Sequence, residues 1–172
     1  MGKLETVPAL SATDLLAAPV AAALRDPSIL VAPIDPTLAD TAEFCAAYDV
    51  GLEESANCVV VAGKRDGEVR YAACVILATT RADVNGVVRR RLDVRKASFA
   101  PMDDAVSLTG MEYGGITPIG LPAGWPVLVD ARVVDVPWVI VGSGLRRSKI
   151  VLPGAALASL ATAEVIPDLA RV

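Results

Sequence analysis

The middle of the chain carries the pattern of a β-hairpin. Residues 57–64 and 69–79 are two apolar segments joined by Arg65-Asp66-Gly67. Asp-Gly tolerates the positive φ angles of a tight hairpin turn better than almost any other dipeptide. The pattern therefore predicts two long antiparallel strands, and it is the clearest local structure in the sequence.

Shorter segments on both sides of this hairpin show strand and helix patterns in no regular alternation. Strands are predicted at 29–32, 97–100, 127–130, 138–141 and 149–152, with a strand or extended tail at 165–169; helices are predicted at 14–24, 41–48, 83–92, 102–108 and 155–161. Scattered short helices among strands, without a β-α-β series, indicate an α+β fold in one domain.

The composition indicates a globular domain without a membrane segment. The chain has 172 residues, of which 53% are hydrophobic, and this is ample for one core. No apolar run approaches the roughly 18 residues that span a bilayer, and the first residues lack a secretory pattern. A cytoplasmic protein is expected. The net charge of −4 argues against a surface covered by phosphate-binding cations.

Histidine is absent from the chain. Its absence excludes Ser-His-Asp and Cys-His catalysis and any His-ligated zinc site. The three cysteines have no metal-ligand spacing, and Cys58 and Cys74 lie inside predicted strands, so buried reduced thiols are expected. Neither a metal nor another cofactor is predicted, and proton transfer would depend on carboxylate, lysine, tyrosine, water or the substrate.

Residues 109–120 form a glycine-rich segment that reads Thr-Gly-Met-Glu-Tyr-Gly-Gly-Ile-Thr-Pro-Ile-Gly. Glycine allows positive φ angles and close approach of another molecule to the backbone. Paired glycines before a proline suggest a shaped loop whose N–H groups hold a carbonyl oxygen or a phosphate. On spacing alone, a tight connection between a helix and a strand is the simpler explanation.

This segment resembles the Thr-Gly-x-x-x-Gly-Gly-[Ile/Val]-[Ser/Thr]-Pro-x-Gly signature of the YbaK family of aminoacyl-tRNA deacylases and prolyl-tRNA synthetase editing domains. The likeness continues through Ser55-Ala56-Asn57, an apolar strand ending in Asp130, and a glycine hairpin at 139–152. The resemblance implies a mixed, partly closed β-sheet, the YbaK-like barrel, flanked by short helices. Residues 29–170 would be the family core and residues 1–28 an N-terminal helical extension, within one domain spanning 1–172.

The resemblance also implies a function. It indicates a trans-acting editing deacylase that hydrolyses the ester of a mischarged tRNA without metal, cofactor or covalent intermediate. Mischarged tRNA would be the substrate, and an aminoacyl-tRNA synthetase would be a possible partner in trans. Gly115 would be the main-chain oxyanion donor. The substrate-binding positions would be Gly114, Ile116, Thr117, Asp130, Gly142 and Ser143.

Two positions depart from the family pattern. Where the family has a lysine at the start of its first strand, this chain has Asn57, which can hydrogen-bond but carries no charge. In the glycine hairpin, the family's acidic position is Lys149. We therefore hypothesise that Lys149 faces the same cavity as Asn57 and replaces the missing cation. The alternatives are an ordinary exposed strand lysine and an asparagine that satisfies backbone groups.

Several other positions leave more than one role open. Arg89, Arg90 and Arg91 belong to the densest cationic run of the chain; they form a solvated helix face or, under the resemblance, contact the tRNA backbone. Asp130 either orients water and loop amides or, more simply, caps the following turn. Tyr113 either stacks on a ligand or packs.

Loss of the family lysine also fits a different class of function. A non-catalytic module that binds tRNA or a small ligand could keep the scaffold without the chemistry. A domain that pairs with prolyl-tRNA synthetase or another protein is a third possibility. The sequence makes no prediction of the oligomeric state, the amino acid or the tRNA.

Overall fold

The computed structural model describes every residue from Met1 to Val172. The strands are β1 (Val7–Pro8), β2 (Leu30–Pro33), β3 (Ala56–Arg65), β4 (Glu68–Leu77), β5 (Arg81–Ala82), β6 (Ala97–Phe99), β7 (Val127–Asp130), β8 (Val139–Gly142), β9 (Ser148–Leu152), β10 (Ala163–Ile166) and β11 (Ala170–Arg171). The α-helices are α1 (Ala18–Ala23), α2 (Thr41–Tyr48), α3 (Arg89–Leu92), α4 (Met102–Thr109), α5 (Ala131–Val134) and α6 (Gly154–Leu157).

The predicted hairpin is the centre of a five-stranded sheet with the order β10-β7-β4-β3-β6. β3 pairs antiparallel with β4 along its whole length, from Ala56 opposite Leu77 to Arg65 opposite Glu68. β7 runs parallel to both β4 and β10. The sheet is therefore mixed, and the predicted α+β class is confirmed.

A second sheet, with the order β1-β2-β9-β8, is antiparallel throughout. A parallel bridge between Ser55, just before β3, and Ile140 in β8 joins it to the first sheet. Neither of these sheets closes on itself, because the first and last strands of each order do not pair; β5 and β11 form a third sheet of two strands. This bridge matters for function because it brings the start of β3 beside the end of β8.

The largest hydrophobic cluster lies between the two sheets. It combines strand residues such as Val129 and Ile150 with Leu16, Val20 and Leu24 from the N-terminal segment. A second cluster lies under α3, and a third surrounds the fully buried Phe44 of α2. No helix is long and apolar enough to cross a membrane.

Three helix predictions need correction. The segment predicted as a helix at 14–24 is a 3₁₀ turn at Thr13–Leu15 followed by the short α1, which begins at Ala18 with Pro19 in its first turn, a position that suits proline. The segment 83–92 is a π-helical turn at Val84–Val88 that continues into α3. The last helix ends at Leu157, and a strand, β10, occupies 163–166 instead of 165–169.

Candidate active site

A pocket of about 330 Å³ lies where the start of β3, the glycine-rich loop, the end of β8 and the segment before α2 meet. It brings together five of the residues predicted as catalytic or substrate-binding: Asn57, Gly114, Ile116, Gly142 and Lys149. The remaining lining residues that matter here are Ala39, Asp40, Thr41, Cys58, Phe99 and Tyr113. The pocket is therefore built by segments that are far apart in the sequence.

Asn57 is held in the pocket by the first residue of α2. Thr41 Oγ1 donates a hydrogen bond of 2.8 Å to Asn57 Oδ1. This bond fixes the orientation of the side-chain amide, because its oxygen is already taken. The Asn57 NH₂ group makes no hydrogen bond within the protein, so it is a free donor for a ligand.

Lys149 is a buried lysine, with only 9% of its surface exposed. Its Nζ donates to the backbone oxygen of Ala39 at 3.1 Å and lies 5.1 Å from the centre of the Phe44 ring. Burial lowers the pKa of Lys149, with a smaller lowering from Arg146 that the charge of Asp40 partly offsets. The alternative of an ordinary exposed strand lysine is wrong, because the side chain lines the same pocket as Asn57.

The expectation that Gly115 offers a free amide is contradicted by the loop geometry. Gly115 N–H donates to the Glu112 oxygen at 2.9 Å and so closes a β-turn whose third residue, Gly114, has φ +83°, as a type II turn requires. Gly115 also does not line the pocket. Gly114 and Ile116 do line it, and their amides make no hydrogen bond within the protein.

The glycine loop is held against the β8–β9 connection by close backbone contacts. Gly144 N–H donates to Gly115 O at 2.7 Å, and Glu112 N–H donates to Gly144 O at 2.8 Å. A Cβ atom on Gly142 would lie 2.4 Å from Gly115 O and 2.7 Å from Ile116 O. The glycine at 142 is therefore required by close approach of another backbone segment, and it fixes where Ile116 lies.

Gly142→Ala is expected to lower the free energy of unfolding by about 1–3 kcal/mol, because the new methyl group meets backbone atoms that must move. It should also displace Ile116 and alter any activity of the pocket. Gly51→Ala is the control, because Gly51 has an ordinary φ of −66° and a Cβ there would meet only the flexible end of the Glu53 side chain. Urea unfolding of both variants measures the difference; equal losses would contradict the close-approach argument.

Three predicted substrate-binding residues lie outside the pocket. Ser143 is fully buried and bonds to the Leu145 and Ser148 oxygens, and Thr117 is fully buried with no partner for its hydroxyl. Asp130 is 1% exposed and caps α5 by accepting from Arg132 N–H at 3.0 Å. The sequence left two roles open for Asp130, and the structure shows the capping role.

Arg89, Arg90 and Arg91 also lie away from the pocket, on the surface of α3. Arg91 pairs with Glu164 at 2.8 Å, and Arg89 Nε donates to the Asn85 oxygen at 2.9 Å. Both contacts are exposed and contribute little to stability.

Arg146 is the principal residue at the pocket to which the sequence analysis assigned no role. Its guanidinium contacts Asp40 Oδ1, Tyr113 O and Pro36 O, each at 3.3 Å. It thereby ties the turn of the glycine loop to the segment before α2, across one edge of the pocket. The basic Arg146-Arg147 pair beside Gly144 was the available signal, but its acidic partner is 106 residues away in the chain.

The thiol of Cys58, a residue that lines the pocket, is not an activated nucleophile. Burial raises the pKa of Cys58, which lines the pocket, and it raises the pKa of Cys74 to about 12. A thiol must ionise to attack a carbonyl carbon. All three cysteines are free, in agreement with the expected reduced thiols.

The chain matches one known protein family directly. The family described as the aminoacyl-tRNA editing domain matches residues 35–160. The chain therefore belongs to the aminoacyl-tRNA editing domain family, and the resemblance noted from the sequence is confirmed.

Solved structures of other proteins share this fold. One, described as a candidate trans-editing enzyme for prolyl tRNA synthetase, is 20% identical with a TM-score of 0.68, over 80% of this chain and 83% of that one. Another, hypothetical protein APE2540, is 23% identical with a TM-score of 0.69, over 83% of this chain and 90% of that one. At these identities the likeness establishes the fold, while the chemistry has to be argued from the pocket.

Proposed function

We propose that this protein is a trans-acting deacylase that hydrolyses the ester between an amino acid and the 3′ end of a mischarged tRNA. The observation that carries the proposal is the meeting of a buried cation, Lys149, and a free amide donor, Asn57, in one pocket beside two unpaired loop amides. Membership in the editing-domain family supports the same substrate class.

The pocket offers donors rather than a nucleophile. Ester hydrolysis develops negative charge on the carbonyl oxygen, and fixed N–H groups stabilise that charge. The amides of Gly114 and Ile116 take this role in place of Gly115, whose N–H is occupied. Water, or a hydroxyl or thiol of the substrate, attacks the carbonyl carbon, since the pocket has no histidine and its thiol stays protonated.

Lys149 and Asn57 position the substrate from the floor of the pocket. An ammonium group has three donors, of which Ala39 O accepts one. The remaining donors are available to the ester or to the ribose oxygens. Asn57 NH₂ adds a neutral donor whose direction Thr41 sets. The cation that the family carries on its first strand is thus supplied from β9.

The cationic surface outside the pocket suits the tRNA backbone. Residues 64–96 contain nine of the sixteen Lys and Arg residues of the chain and only four acidic residues. Arg89, Arg90 and Arg91 belong to this segment. Strand geometry puts Lys64 about 23 Å from Asn57 along β3, at roughly 3.3 Å per residue. The segment would therefore meet phosphates beyond the 3′ end that enters the pocket.

The proposal is tested with purified protein and a panel of tRNAs mischarged with Ala, Ser, Thr or Cys. At least one ester should be hydrolysed, and Asn57→Ala should lower kcat/KM by about tenfold or more, as expected for loss of one positioning hydrogen bond. Ser159→Ala is the control, because Ser159 is exposed and lies outside both the pocket and the cationic segment 64–96. Absence of hydrolysis across the whole panel would overturn the proposal.

The absence of the family lysine favours a second candidate, a module that binds tRNA without hydrolysing it. Asn57→Lys separates the two. A retuned deacylase already supplies its cation from Lys149, so a second buried ammonium should reduce hydrolysis through repulsion. Hydrolysis that appears only in the Asn57→Lys variant would identify a site that has lost its chemistry.

A further inference from the structure

The two most exposed aromatic side chains of the protein lie at one place. Phe99 is 61% exposed and Tyr113 is 54% exposed, and both line the pocket. The chain has only seven aromatic residues, and others are covered: Phe44 is buried, and Tyr71 stacks on Trp125 with ring centres 5.0 Å apart. Two solvent-facing rings beside one pocket are therefore a local feature and do not reflect an aromatic-rich surface.

Different elements fix the two residues. Phe99 ends β6 and pairs with Val61 of β3 in the five-stranded sheet. Tyr113 is the second residue of the turn that Gly115 N–H closes onto Glu112 O, and its own carbonyl accepts from Arg146. Both backbones are thus held by hydrogen bonds, while the side chains remain exposed. Because the two backbones are already ordered, only the side-chain torsions lose entropy when a ligand packs against the rings.

The solvent exposure of the pocket residues increases from the floor to the mouth. Lys149 is 9% exposed at the floor, whereas Phe99 and Tyr113 are more than half exposed at the mouth. A volume of about 330 Å³ is near the lower end of ligand pockets, which range from about 300 to 1,000 Å³. It suits an aminoacyl group and part of a sugar, and it leaves a nucleobase outside, at the level of the exposed rings.

We propose that Phe99 and Tyr113 form a stacking site for the terminal purine base of the substrate, while its aminoacyl ester reaches down to Asn57 and Lys149. This inference rests on the proposed function. Aromatic side chains bind bases of unpaired nucleic-acid ends by stacking, largely independently of sequence. The site would recognise the nucleoside common to all tRNA ends, and the floor would select the acyl group.

The first test measures binding without hydrolysis. The probes are adenosine 5′-monophosphate and ribose 5-phosphate, in which a hydroxyl replaces the base, titrated into the 172-residue protein by NMR or calorimetry. The nucleotide should bind at least tenfold more tightly, and Phe99→Ala and Tyr113→Ala should each weaken it by about tenfold, as for loss of one stacking contact. Trp138→Ala is the matched control, since Trp138 is 39% exposed but lies outside the pocket.

Equal affinity for the two probes, or unchanged nucleotide affinity in both variants, would overturn the stacking site. Phe99→Trp should retain binding and Phe99→Leu should lose it, because a planar ring and not apolar area is required. Thermal unfolding checks that these exposed substitutions leave the fold intact.

The deacylation assay keeps this inference distinct from the proposed function. If tRNA is deacylated, Phe99→Ala should raise KM about tenfold with a much smaller change in kcat, and an unchanged KM would overturn the stacking site alone. If no tRNA is deacylated but the nucleotide still binds through its base, the deacylase proposal fails and the base site stands.

Discussion

Lys149→Met is expected to lower kcat/KM for deacylation by about a hundredfold, in line with loss of one preorganised donor. The same change should raise the free energy of unfolding by about 1 kcal/mol. A buried ammonium without a bonded carboxylate is expensive to desolvate, and the contacts with Ala39 O and the Phe44 ring offset only part of this. Loss of activity together with gain of stability is the signature of a residue retained for function.

The stability difference should depend on pH in a defined direction. The folded pKa of Lys149 lies below the 10.5 of an ordinary lysine, so the unfolded chain binds more protons between these two values. Wild-type stability therefore rises with pH through that window relative to the methionine variant. The advantage of Lys149→Met should be largest at neutral pH and shrink as the pH approaches 10.5.

Urea unfolding at pH 7 and pH 10 measures this difference, and single-turnover deacylation measures the activity. Lys3→Met is the control, because Lys3 is exposed and lies outside both the pocket and the cationic segment 64–96, so the change should alter neither quantity. Unchanged hydrolysis in Lys149→Met would show that Lys149 takes no part in the reaction. A pH-independent stability difference would contradict its buried, destabilised charge.

Elements with strong local signals could be predicted from the sequence. The hairpin formed as expected because Asp66 and Gly67 adopt φ angles of 51° and 83°, which this dipeptide tolerates. Helix α2 has the predicted bounds, and Asp49 in the left-handed conformation ends it. In both cases, the residues that cause the local structure lie next to each other in the sequence.

The N-terminal segment illustrates where local signals fail. Its alanines and leucines favour a helix, but Pro19 and contacts with distant residues shorten it. Ala17 N–H donates to Ser143 O at 3.1 Å, and Ser148 Oγ donates to Leu15 O at 2.6 Å. Backbone groups that pair with the β8–β9 region cannot pair within a helix, and no pattern in the segment itself reveals those partners.

The site was only partly predictable for the same reason. The relation between Asn57 and Lys149 came from the family resemblance, because no local pattern contains it. The bridge of Ser55 with Ile140 places β8 beside the start of β3, and β9 joins this site only through its pairing with β8. The role of Gly115 was wrong for a local reason that the sequence does contain. Glu-Tyr-Gly-Gly is a type II turn pattern, and the amide of its fourth residue closes the turn. Because the turn occupies the amide of Gly115, the next amide that can bind a ligand is that of Ile116.

Asp130→Asn is expected to lower the free energy of unfolding by about 3–5 kcal/mol, a large part of the stability of an ordinary domain. The carboxylate is 1% exposed and accepts four hydrogen bonds. Three come from Arg132, through N at 3.0 Å and through Nε and Nη2 at 2.9 Å each, and one comes from Ala170 N at 2.9 Å. An asparagine keeps the shape but turns an NH₂ group toward one of these donors and leaves the guanidinium without its counter-charge.

The loss should disappear in acid, which separates lost charge from altered packing. Burial alone would raise the pKa of Asp130, but the hydrogen bonds from Arg132 and Ala170 and the charge of Arg132 hold it below the usual 3.8. Such a carboxylate contributes its full stability above pH 3.8 and loses it as the pH falls through the folded pKa. Unfolding of wild type and Asp130→Asn should therefore differ most at neutral pH and converge as the pH falls well below 3.8. Exposed Asp135→Asn should remain near wild type throughout; a difference for Asp130→Asn that persists unchanged in acid would assign the effect to packing.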